Sequence, residues 1–107
     1  MAAFEKISGS EAVTFEVNMS GRLPEGISLA GSGSTATAYD VFGRDVSSTL
    51  LASTVVATTP GDGTARFSCK SGTQPLGEYQ VRLSLALSSG GPIIEDAYVY
   101  VRERTAQ

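Results

Sequence analysis

The chain contains no histidine and no tryptophan, and cysteine occurs once. Without an imidazole, no Ser-His-Asp or Cys-His catalytic group can be assembled, and a His-ligated metal site is excluded. A single cysteine rules out an internal disulfide. Basic residues are scarce: eight Lys and Arg against eleven Asp and Glu give a net charge of −3, which argues against a nucleic-acid-binding surface. No apolar run reaches the roughly 18 residues that a membrane-spanning helix needs. The longest nearly uncharged stretch, Val46 to Gly61, is full of Ser and Thr. The opening Met1-Ala2-Ala3-Phe4-Glu5-Lys6 lacks a basic region followed by an apolar one, so no signal peptide is read. Synthesis and folding in a reducing cytoplasm are expected. Asn18-Met19-Ser20 fits the glycosylation pattern, but without a secretion signal it is read as chance.

What remains is 107 residues, 41% hydrophobic, with 12 Gly and 4 Pro. That is one domain, 1–107, with enough chain for one core and too little for two. Short runs of period-two alternation are separated by Gly, Ser and Pro, and no 3.6-residue period is sustained. Glu11 to Met19 places Val13, Phe15, Val17 and Met19 on one face and Thr14, Glu16 and Asn18 on the other. Thr35 to Val41 sets Ala36 and Ala38 against Thr35, Thr37 and Tyr39. Leu50 to Thr58 is rich in Val and Thr and is expected to be a strand. Thr64 to Lys70 points Ala65, Phe67 and Cys69 inward and Thr64, Arg66, Ser68 and Lys70 outward. Glu78 to Ser88 aligns Tyr79, Val81, Leu83, Leu85 and Leu87 against Gln80, Arg82, Ser84, Ala86 and Ser88. Glu95 to Glu103 alternates Ala97, Val99 and Val101 against Tyr98, Tyr100 and Arg102. With a short strand at Ala3 to Ile7 there are seven.

One-sided alternation leaves each sheet wet on one face and packed on the other, which favours antiparallel pairing. Seven short strands in a small domain predict an all-β, two-sheet antiparallel sandwich, with a barrel as the competing architecture.

Few residues carry chemistry. Cys69 lies on an inward face, where a thiol behaves as a small hydrophobe, and no base is present to activate it. Asp40, Asp45, Asp62, Glu95 and Asp96 fall in or beside turns. Asp40-Val41-Phe42-Gly43-Arg44-Asp45 looks superficially like a metal loop but lacks the alternating ligands and terminal Glu of a calcium site. It reads as a Gly-centred turn whose Asp side chains accept local backbone hydrogen bonds. Glu95 and Asp96, as strand neighbours, point to opposite faces and make no dyad. Gly31-Ser32-Gly33-Ser34 lacks the lysine and helix of a phosphate loop. No cofactor or metal is implied. Tyr98, Tyr100 and Arg102 form a solvent-side stripe of residue types that anchor interfaces and sugar sites. Alternatively, cross-strand neighbours or an N-terminal segment cover them.

Gly77-Glu78-Tyr79-Gln80-Val81 resembles the start of the sixth strand of immunoglobulin-like domains, where a Tyr hydroxyl folds back to the preceding corner. The resemblance implies a structural corner role for Tyr79, against a plain core Tyr. Val81 stands where antibody domains carry cysteine, a departure that fits disulfide-free bacterial and viral relatives. From Phe4 to Arg104 the chain also resembles short immunoglobulin-like proteins encoded among the virion genes of tailed bacteriophages and prophages. The resemblance is carried by Val13-Thr14-Phe15-Glu16-Val17, Leu23-Pro24, the Asp40-x-x-Gly43 turn, Gly72 to Gly77 leading into Tyr79, and Tyr98-Val99-Tyr100-Val101. It implies a non-enzymatic capsid decoration, head, neck or tail component whose partners are other virion proteins or further copies of itself. A carbohydrate- or cell-surface-binding module is the rival expectation.

Overall fold

A computed structural model describes residues 2–7, 12–72 and 74–103. Its strands are β1 (Ala2–Ile7), β2 (Val13–Asn18), β3 (Thr35–Tyr39), β4 (Ala57–Thr59), β5 (Thr64–Cys69), β6 (Gly77–Leu85) and β7 (Ile93–Arg102). A 3-10 turn at Ser20–Arg22 and one helical turn, α1 (Ser47–Leu50), complete the elements. The strands form two sheets, ordered β1-β7-β6-β3 and β2-β5-β4. Every pairing is antiparallel except β1 with β7, the first and last strands, which run parallel. This is the two-sheet, all-β sandwich that the alternation predicts, with the immunoglobulin-like form that the resemblance implies; the parallel β1–β7 pair departs from the all-antiparallel expectation. Among the described residues, no helix is long and apolar enough to cross a membrane.

Period-two geometry sends alternate side chains of each strand into the space between the sheets. Ala36, Ala38, Tyr79, Val81, Leu83, Leu85, Ala97, Val99 and Val101 come from the four-stranded sheet, and Val17, Ala65, Phe67 and Cys69 from the other; all are buried. Burying one such Leu, Val or Phe side chain contributes about 1.5–3 kcal/mol. Phe4 crosses from β1 to stack on Phe15, with centroids 4.7 Å apart, and meets Phe67 edge-on at 5.9 Å. These rings join the two sheets at the β1–β2 side.

The segment expected as a strand from Leu50 to Thr58 is strand only at β4. Leu50 and Leu51 are consecutive and both buried, which a strand with one face in solvent does not provide because neighbours point to opposite faces. A helical turn solves this: the Leu50 and Leu51 amides donate to Val46 O and Ser47 O. The chain then touches β5 at Leu51–Cys69 and β3 at Val55–Thr35 before entering β4. It thus crosses from one sheet to the other. Thr64, expected outside, is 5% exposed. The turn at Ser20 lies against the residue before it: a Cβ on Gly63 would come within 3.2 Å of Ser20. Gly63 has φ +68, so both space and backbone demand glycine there.

Besides Thr64, the burial of a lysine was not anticipated. Lys6 is 1% exposed and continues the inward face of β1. Its Nζ donates to Gln74 Oε1 at 2.7 Å and Gly72 O at 3.4 Å. Gln74 Nε2 in turn donates to Lys70 O and Ser71 O. The network ties the first strand to the loop between β5 and β6. The period-two pattern cannot distinguish this residue from an exposed lysine at a strand end.

Candidate functional site

Backbone register decides what the outer face of the four-stranded sheet presents. Tyr39 pairs with Gln80, and Gln80 with Tyr98, so the three form one row across β3, β6 and β7. The next row sets Glu78 against Tyr100 and Tyr100 against Glu5. On the other side of the tyrosine row, Arg82 pairs with Asp96, Nε to Oδ1 at 3.0 Å. That hydrogen bond from Arg82, with a further one from Gln80, holds the Asp96 carboxyl below the usual range against the opposing effect of burial.

The stripe predicted on β7 is therefore on this face, but not as a uniform surface. Tyr100 is 39% exposed, whereas Tyr98 is half-buried. Arg102 is engaged by Glu5 of β1, Nη1 to Oε1 at 2.9 Å. The parallel β1 strand lies alongside β7 in the sheet, so its contact with the stripe is at the edge, through the Glu5–Arg102 pair, while Tyr100 and Arg102 are exposed.

At one end of this face stands the hairpin 40–44. Asp40 Oδ1 accepts from the Phe42 and Arg44 amides at 2.9 and 3.0 Å, and its Oδ2 accepts from Arg44 Nε at 2.7 Å. Gly43 takes φ +79, a conformation that a side chain would strain. Desolvation pushes the Asp40 carboxyl up, but hydrogen bonds from Arg44 and Phe42 outweigh it and hold the group below its ordinary value. Asp45 accepts from the Ser47 amide and hydroxyl, which lowers its pKa. The aspartates thus serve the turn, as their spacing predicts. Among the described residues, no group of three or more His, Cys, Asp or Glu could hold a metal ion.

The Arg44 guanidinium lies 5.2 Å from the centre of the Phe42 ring. Phe42 is nevertheless 79% exposed, and beside it Val41 and Leu76 are also exposed. These three surround a cleft of about 300 Å³ between the hairpin and the corner before β6, with Val46, Pro75 and Tyr79 as further walls. A second hollow, also about 300 Å³, is lined by Asp40, Val41, Glu78, Gln80 and Tyr98. It opens toward the tyrosine row, and the two hollows share Asp40, Val41 and Glu78. Sequence reading missed this end of the molecule. The available signal was Val41-Phe42, two large apolar residues directly before a turn glycine.

Gly77 and Tyr79 form the corner. The Tyr79 hydroxyl donates to Pro75 O at 2.7 Å, and Gly77 has φ +136. Cys69 is fully buried and free. Burial pushes its thiol up to about 11, despite a lowering influence from Lys6. It remains a protonated thiol at neutral pH.

No family model and no curated protein sequence matches the chain. Among solved structures, the chain is similar to CopC from Methylosinus trichosporium OB3b, at 13% identity and a TM-score of 0.56. The match covers 100% of this chain and 90% of that one, and what the two share is the fold.

Proposed function

We propose that the chain is a non-enzymatic structural or accessory component of a tailed-bacteriophage or prophage particle, made in the host cytoplasm and binding other virion proteins or its own copies. The phage assignment rests on the sequence resemblance. The binding role is supported by one observation: exposed aromatic and apolar side chains gather on the outer face of the four-stranded sheet and on the hairpin at its end. Tyr98, Tyr100 and Arg102 belong to that face, and backbone pairing fixes their spacing. Surfaces of this composition dock proteins when a few aromatic groups anchor them.

The test is composition of the particle. Particles induced from a strain carrying the gene, banded on a density gradient and examined by mass spectrometry, should contain the chain. A Tyr98→Ala/Tyr100→Ala variant should be lost from them while keeping a near-normal melting curve. Absence of the unaltered chain from banded particles overturns the reading.

A second reading, a carbohydrate- or cell-surface-binding module, is favoured by the row Tyr39–Gln80–Tyr98, where an amide stands between two rings. Saturable binding on a glycan array, lost in Tyr98→Ala, would establish it in place of the first.

A further inference from the structure

The two hollows at the hairpin end differ in chemistry. The cleft between hairpin and corner is walled mainly by Val41, Phe42, Val46, Pro75, Leu76 and Tyr79. The adjoining hollow has two carboxylates, Asp40 and Glu78, an amide from Gln80 and the aromatic wall of Tyr98, with no basic group among its lining residues. Arg44 lines the first and not the second, and its charge is already matched by Asp40. Glu78 is exposed and stands opposite Tyr100 across the β6–β7 pair. With Asp40 paired to Arg44, Glu78 is the carboxylate that attracts a cation by charge, and the Tyr98 wall adds the attraction of a ring face. The neighbouring cleft accepts one large apolar side chain.

We propose that this end of the sandwich binds an extended segment of a partner protein carrying a large apolar residue and, two positions away, a Lys or Arg. The inference rests on the protein-binding role proposed above and names the partner's chemistry. Alternate residues of an extended chain point the same way, about 6.4–6.8 Å apart by the strand rise, a reach that suits two adjoining hollows with three wall residues in common. The shared wall of Asp40, Val41 and Glu78 is where the segment passes between them. Preorganisation favours binding here: Asp40 fixes the hairpin by three hydrogen bonds and Arg44 braces the Phe42 ring, so less freedom is lost on association.

The test uses the whole chain and three short probes, Ac-Phe-Ser-Lys-NH2, Ac-Phe-Ser-Glu-NH2 and Ac-Ser-Ser-Lys-NH2, titrated while amide resonances are followed by NMR. The first should produce saturable shifts centred on Val41, Phe42, Gly77, Glu78 and Gln80. The other two should bind at least roughly fivefold more weakly, as expected when one charge pair or one buried ring is removed. Glu78→Lys, a change at an exposed position, should reverse the preference between the Lys and Glu probes. Phe42→Ser should weaken both Phe probes without altering the fold. Equal binding of the Lys and Glu probes, shifts centred elsewhere, no saturable shift, or an unchanged preference in Glu78→Lys overturns the inference. Those outcomes leave particle association intact if the chain is still found in banded particles. Absence from particles removes the functional reading without touching the peptide preference.

Discussion

The hydroxyl of Tyr79 closes on the carbonyl of Pro75, 2.7 Å away and four residues earlier. The bond pins the corner where the chain enters β6, and that corner forms one wall of the apolar cleft. Tyr79 is 5% exposed, whereas Pro75 is exposed, so the bond joins a buried ring to a residue on the surface. Tyr79→Phe keeps the ring and removes the bond. It should cost about 1 kcal/mol, read as a fall in Tm of roughly 4–8 °C for a domain this size. An unchanged Tm would leave Tyr79 as an ordinary core ring.

The two faces of β6 should respond in opposite ways. Leu83 is fully buried, and Leu83→Asp should unfold the domain, since a buried unpaired carboxylate costs several kcal/mol against a total stability of about 5–15. Its neighbour Arg82 makes only a solvent-exposed pair with Asp96, and Arg82→Ala should change stability by less than about 1 kcal/mol. Thermal melts of the two variants settle the face assignment, and equal Tm values would refute it.

Gln74 lies between the Lys6 amine and two backbone carbonyls. Gln74→Leu deletes the 2.7 Å contact to Lys6 and the bonds to Lys70 O and Ser71 O. Groups that remain buried after losing a partner make such changes costly, by about 1–3 kcal/mol. Chemical denaturation should show the loss, and Lys6→Met combined with Gln74→Leu should cost less than the two single changes added together. Strict additivity would mean that the two residues are not coupled.

The thiol of Cys69 should resist modification. Burial holds its pKa up at about 11, and the thiolate is the reactive form. Ellman's reagent at neutral pH should label the native protein only as fast as it opens, and label the denatured chain completely and quickly. Rapid labelling of the native state would contradict the placement of Cys69 in the core.

Acid should weaken the fold in a defined window. Asp40, Asp45 and Asp96 all have folded-state pKa values held below normal. A carboxyl with a depressed folded pKa contributes stability that is present above its unfolded value, about 3.9, and lost as pH falls through the folded value. Tm should therefore be nearly level from about pH 8 to 5 and decline below about 4. Asp96→Asn should make that decline shallower, and a decline of the same steepness in the variant would remove Asp96 from the account.

Strand positions and inward faces were readable because burial on one side imposes a period of two, and Phe67, Val81 and Val99 follow it. The Asp40–Gly43 turn was readable because its chemistry is local. What the sequence left hidden came from packing between distant segments. Leu50 and Leu51 sit in a Val- and Thr-rich run with strand propensity, yet both must be buried, and tertiary burial turns the chain into a helical turn. Lys6 looks like any polar strand residue until Gln74, 68 positions later in sequence, is folded against it. The docking end was hidden for the same reason. Phe42 and Glu78 are far apart along the chain, and only the pairing of β3 with β6 carries the two loops to one end. Alternation of apolar residues is a local constraint and sufficed to specify two sheets. Which side chains share a hollow depends on register and crossover between strands, and only the assembled sandwich determines that.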